Sequence, residues 1–184
     1  MTPRAILLAA AIAALAAAAP AAAAGTSSQA IEAFETRVKD YLALRDKAVR
    51  ALPHLTKQST PDEVVRHQRA LAGRIKEARA GAKAGEFFTP EIQALVKRTM
   101  TEVLSGHDGK SVRDSILDEN PDLDTLALHQ QYPTSVPLST MPPQVLAALP
   151  KLEEELEYRF VGERLILLDP NAHLVIDFTD DVLP

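Results

Sequence analysis

Asp169, His173 and Asp177 stand four residues apart in the run LDPNAHLVIDF, and all three are metal-ligand types. One ion would need all three side chains to converge on it. Residues four apart along a straight strand are about 13 Å apart. Only a turn could bring Asp169 and His173 together, which leaves two ligands and no third, so no metal is assigned here. Glu153, Glu154, Glu155 and Glu157 raise paired-carboxylate chemistry of the glycosidase kind. Such pairs need a cleft and a perturbed pKa, and adjacent acids on one edge are solvated instead. His107 and Asp108 could be two parts of a hydrolytic triad, but no Ser stands in a GxSxG elbow. The seven Gly residues form no phosphate cradle. His54, His67, His107 and His129 include no HExxH pair. His67 falls beside the apolar stripe of a helix, as a hydrogen-bonded side chain. The sequence therefore assigns no catalytic, cofactor-binding or metal residue and implies no cofactor.

The elements that would position these residues are legible in part. Thr26 and Gln29 have capping-box spacing, and Ile31, Phe34, Val38, Tyr41, Ala48 and Leu52 then recur at helical steps, with Arg45 the one polar exception on the stripe. Pro53 ends this helix. STPDE at 59–63 marks a second start: Thr60 as N-cap, Pro61 at the first helical position, Glu63 closing the box. Val64, Leu71, Ile75 and Ala78 form its buried stripe, and Gly81 or Gly85 closes it. Thr89 and Pro90 open a third helix carrying Ile92, Leu95, Val96, Val103 and Leu104, with Phe87 and Phe88 folded onto its first turn and Gly106 after it. SVRDSILDE and PPQVLAALP are short helices, the latter capped by Thr140. Between them the Pro-punctuated stretch 121–142 reads as extended, a length that usually wraps a surface or carries function.

The last thirty or so residues change to period two. Gly162-Glu163 is a two-residue turn of type II′, setting Phe160 opposite Leu165 and Tyr158 opposite Leu167. A second two-residue loop after Asp169 would set Leu167 against Leu174 and Leu165 against Ile176. One face then carries Leu156, Tyr158, Phe160, Leu165, Leu167, Leu174 and Ile176. The same register places Arg164 opposite Asp177 on an outer, wet face with Arg159 nearby. That is an anion binder if it is a site, and otherwise a cross-strand ion pair worth about 0.2–1 kcal/mol.

Residues 1–24 read as a cleaved signal peptide: one cation at Arg4, an Ala/Leu/Ile stretch broken by Pro20, and an A-x-A pattern at Ala22 and Ala24. With no twin Arg and no Cys at the cleavage point, the general secretory route to a periplasmic or extracellular location is expected, without a lipid anchor. No later stretch is long and apolar enough to span a membrane. The chain has no Cys, which excludes disulfides and thiolate chemistry. Residues 25–110 hold 15 basic and 11 acidic side chains, whereas residues 111–184 hold 4 and 14. The basic residues alternate closely with acids, and nucleic acid is excluded as the partner of an exported chain.

VRHQRALAGRIKEARAGAK with FFTPEI, YPTSVPLSTMPPQVLAALPKL, LEYRFVGERLILLDPNAHLVIDF and the ending VLP together resemble, in content and order, an uncharacterised family of small secreted bacterial proteins. The resemblance implies export and a shared fold, and carries over no activity, cofactor or site. The YRFVGERLILLD hairpin is also similar to C-terminal hairpins of small periplasmic proteins, metal-homeostasis factors among them. The expected architecture is α+β in one domain, 25–184. Three antiparallel helices (26–106) lead through a connection with short helices (107–150) into a three-stranded antiparallel β-meander (151–184) packed on them. Ile31, Phe34, Val38, Leu71, Ile75, Val96, Tyr158, Phe160, Leu165, Leu167 and Ile176 form the expected core. The leading functional expectation is a non-enzymatic exported domain that binds or supports another cell-envelope component, a protein partner among the possibilities, through an apolar or mixed patch involving the 121–142 connection. The alternatives are a stress- or metal-responsive periplasmic binder and a hydrolase whose site assembles from distant residues around His107 or His129.

Overall fold

The computed structural model describes residues 19–118, 123, 126–133, 136 and 138–184, with side chains from residue 27 onward. Ala is the strongest helix former. Accordingly α1 (Ala19–Arg50) runs through the Ala-rich stretch, past the expected cleavage position and past Thr26, which lies inside the helix rather than capping it. α2 (Pro61–Ala78) begins as its sequence dictates. The Thr60 hydroxyl accepts from the Glu63 amide, and the Glu63 carboxylate accepts from the Thr60 amide. It ends earlier than the glycines would place it, with Arg79 as C-cap. α3 (Pro90–Leu104) opens on Pro90, but Thr89 makes no side-chain cap. Two short helices follow, α4 (Gly109–Asp118) and α5 (Pro143–Ala148). α5 is preceded by Pro142 at the N-cap, not Thr140. The helices thus number five among the described residues, three long and two short. No helix among them is long and apolar enough to cross a membrane.

β1 (Glu157–Val161), β2 (Arg164–Asp169) and β3 (Leu174–Thr179) form an antiparallel sheet in sequence order. The first hairpin has the expected register, with Tyr158 opposite Leu167 and Phe160 opposite Leu165. Gly162 takes φ 60° while Glu163 stays out of the left-handed region, the pattern of a type II′ turn. The second hairpin departs from expectation. Asp169 pairs with Leu174, so the loop is Pro170 to His173, two residues longer than a tight turn. The Asp169 carboxylate accepts from the Ala172 amide at 2.9 Å, and His173 takes φ 47°. A shift of two keeps every side chain on its face, which is why Leu174 still points into the core. A bulge follows. Leu168 pairs with Val175 but Leu167 pairs with Asp177, leaving Ile176 as the extra residue. Beyond it the parity inverts. Asp177 faces the helices, and Phe178 faces outward.

The inner face of the sheet joins α1, α2 and α3 in one core that contains every expected core residue except Ile31, which stays half-exposed. Phe87 and Phe88 do more than staple a helix end. Phe87 meets Phe34 and Tyr41 edge-on, and Phe88 reaches Tyr158 on the sheet. The outer face is not wet. Val161, Ile166, Leu168 and Val175 are buried beneath Leu126 and Tyr132 of the connection. Residues 129–132 lie alongside the start of β3, where the His129 amide donates to Val175, the Val175 amide to Gln130 and the Tyr132 amide to His173. The sheet is therefore covered on both faces.

Candidate functional site

The inversion of parity at the bulge decides where Asp177 goes. Fully buried, its carboxylate accepts from the amides of Gly85, Phe87 and Phe88 at 2.8, 2.7 and 2.9 Å. Gly85 holds φ 85°, a left-handed geometry that glycine adopts without strain. The Arg164–Asp177 pair expected on the outer face does not form. Arg164 instead pairs with Asp180, donates to the Leu126 carbonyl and stacks over Phe178 with 4.2 Å to the ring centroid. Arg159 pairs with Glu157.

Asp169, the last residue of β2, also faces the helices. It accepts from the Tyr41 hydroxyl and from Arg45 Nε, each at 2.8 Å, with all three side chains buried. Burial and then the Asp169 carboxylate hold the Tyr41 phenol protonated far above its ordinary range. Asp169 and Asp177 are thus tied to different partners, α1 for one and the 85–88 loop for the other. They do not converge with His173, and the described residues hold no group of three or more His, Asp or Glu that could bind a metal ion.

Between these two carboxylates lies a third polar centre. Arg79, at the end of α2, has only 8% of its side chain exposed. Its Nε donates to His129 Nε2 at 3.1 Å, and its Nη2 donates to Glu86 at 3.0 Å and to the Ile176 carbonyl at 3.2 Å. The guanidinium lies 5.5 Å from the Tyr41 ring centroid and 5.1 Å from that of Phe87, distances at which a desolvated cation gains from the ring quadrupole. Accepting through Nε2 requires that nitrogen of His129 to be unprotonated. Desolvation first, then the charges of Arg79 and Lys76, lower the His129 pKa, against the opposing pull of Glu86 and Asp177. His129 itself sits at φ 60°, held there by the pairing of its segment to β3.

Surface depressions adjoin these elements. A cleft of about 370 Å³ opens over Arg79, between α1 and the α2–α3 loop, and is walled by Arg37, Asp40, Tyr41, Glu86 and Phe87 among others. A larger groove of about 720 Å³ runs from α5 to the approach of β1. Met141, Leu146, Leu152 and Leu156 line it, with Glu153, Glu154 and Glu157 also along it.

Of the side chains weighed from sequence, the structure engages Asp169 and Asp177 in buried contacts and His129 in a half-buried one, and leaves Glu153, Glu154, His107 and Asp108 exposed. Sequence reasoning does not single out Arg79, Glu86 or Tyr41 as parts of a polar centre. One signal is present in Arg45. A cation on an apolar helical stripe must be buried, and a buried cation requires a partner. No protein-family model, curated protein sequence or solved structure matches the chain.

Proposed function

We propose that this is an exported, non-enzymatic domain that binds another protein of the cell envelope through the groove between α5 and β1. The observation that carries the reading is the groove itself. It is larger than the cleft over Arg79, and Leu146 at its wall, 53% exposed, is the most exposed large apolar side chain among the described residues. Among the described residues of the 121–142 connection, Leu126, Tyr132 and Met141 are buried and Leu138 is exposed, and the groove extends C-terminally from Met141. Exposed Glu153 and Glu154 along the groove, where Glu157 is paired with Arg159, favour a partner segment that presents apolar side chains beside Lys or Arg. The signal-like residues 1–24 and the resemblance to small secreted proteins support the export part.

A photo-crosslinking residue at position 146 of the full chain, expressed in a secreting bacterium, tests the docking part. One defined envelope protein should be trapped at 146 and not at exposed Val65 on α2. The adduct should weaken at least several-fold when Glu153 and Glu154 are both replaced by Lys. Equal labelling at both positions, or an adduct indifferent to the charge reversal, removes the groove from consideration. N-terminal sequencing of the envelope-fraction protein, with Gly25 as the expected first residue, tests the export part separately.

A further inference from the structure

Arg79 is a buried cation with one carboxylate, Glu86, in direct contact and a second, Asp177, close enough to act on it through its charge. Two of its hydrogen bonds go to the uncharged acceptors His129 Nε2 and the Ile176 carbonyl. Asp177, nearby, is engaged with three backbone amides. Among the described residues the carboxylate within ion-pair distance of Arg79 is Glu86, and that side chain is 47% exposed. A guanidinium held against two aromatic rings and by two acceptors has lost its freedom before any ligand arrives, which lowers the cost of binding. Glu86 can leave without stranding the cation only as another carboxylate takes its place. The backbone around it is pinned by the bonds from Gly85, Phe87 and Phe88 to Asp177, so only its side chain needs to rotate, and it rotates into water.

We propose that the cleft over Arg79 binds a small monocarboxylic acid, whose carboxylate takes the position against Arg79 that Glu86 holds in this structure. Glu86 is then an internal stand-in for the ligand. The cleft's volume, about 370 Å³, falls within the usual range for small-ligand sites. Arg37 supplies a second cation in the wall, and Leu44 and Ala78 an apolar surface for a short hydrocarbon body. Asp40, also in the wall, disfavours a second carboxylate on the ligand, which selects monoacids over diacids. The site is separate from the α5 groove, and neither proposal depends on the other.

The test is titration of the full chain with sodium acetate, propionate and butyrate, against sodium chloride at matched ionic strength, followed by thermal melting. Wild type should show a saturable rise in Tm with the carboxylates. Glu86→Ala, which removes the competitor, should bind them about tenfold more tightly, as expected when a competing bound state is abolished. Arg37→Ala should weaken them, and succinate should bind less well than propionate. In the wild type the same titration followed by NMR should move the Arg79 Nε–H resonance and the amides of residues 85–88. These shifts are read on the wild type and do not require Glu86→Ala to fold. No saturable response beyond chloride would overturn the proposal. So would a response that leaves the Arg79 resonance unmoved.

Discussion

Asp177 holds a whole loop in place through one carboxylate. It is the acceptor for three amides of a segment that also carries Phe87 and Phe88 into the core. A buried amide left without an acceptor costs about 1–3 kcal/mol. Asp177→Ala should therefore destabilise the protein by about 3–5 kcal/mol, with partial hydration of the loop limiting the loss. Asp177→Asn keeps one accepting oxygen and should cost less, about 1–3 kcal/mol. Urea denaturation reads both values, and midpoints equal to that of the wild type would show that the loop does not depend on this side chain. Sequence alone points to an exposed ion pair for Asp177. The bulge that turns it inward inserts one unpaired residue, and the alternation of LVIDFT carries no mark of such an insertion.

At the scale of elements, the helix starts and the first hairpin follow from local rules, and the close approaches do not. Gly109 opens α4 directly against the end of α3. A Cβ placed there would lie 1.9 Å from the Leu104 carbonyl oxygen and 2.4 Å from its carbon. Both are backbone atoms, so no rotamer change relieves the contact. Gly109→Ala should lose about 1–3 kcal/mol from overpacking, although Ala is the better helix former. Gly73, exposed within α2, is the matched control, because a methyl added there would meet nothing within 4 Å. Gly73→Ala should gain up to about 1 kcal/mol from helix propensity alone. Thermal melting of the pair should move Tm in opposite directions, and a shift of the same sign in both would contradict the α3–α4 contact. The sequence shows both glycines inside or beside helical segments and gives no means of telling the crowded one from the free one.

At the scale of the whole molecule, the tyrosines report on the closed core. Burial raises the phenol pKa of Tyr41 and Tyr158 far above the usual value, with the Asp169 carboxylate adding to the effect at Tyr41, and burial raises that of Tyr132 as well. A folded pKa above the unfolded one means that the native state keeps its phenol protons where the unfolded chain gives them up. That stabilising contribution is complete below about pH 10, the unfolded value, and is lost progressively as pH rises beyond it. Alkaline titration followed by tyrosinate absorbance and circular dichroism should therefore show the phenols of Tyr41 and Tyr158 ionising only with loss of structure. Tyrosinate forming at either of these two near pH 10 while the ellipticity stays native would contradict their burial.

By itself the sequence determined the period of each segment and hence its element: STPDE starts a helix, Gly162-Glu163 turns a hairpin, and alternating Leu156, Tyr158 and Phe160 face one side. These are short-range matters, settled by sterics and capping within a few residues. It also determined the inner face of the sheet, because a loop longer by two residues leaves side-chain parity unchanged. The tertiary structure alone decided the fate of the charged and polar groups. Arg45 met Asp169 across 124 positions of sequence, and Gly85 met Asp177 across 92. It also decided that the connection would cover the outer face, since Leu126 and Tyr132 are too sparse to show any period of their own. A carboxylate's partner depends on which distant backbone or cation the fold brings within about 3 Å of it, and one unpaired residue in a strand is enough to change the answer.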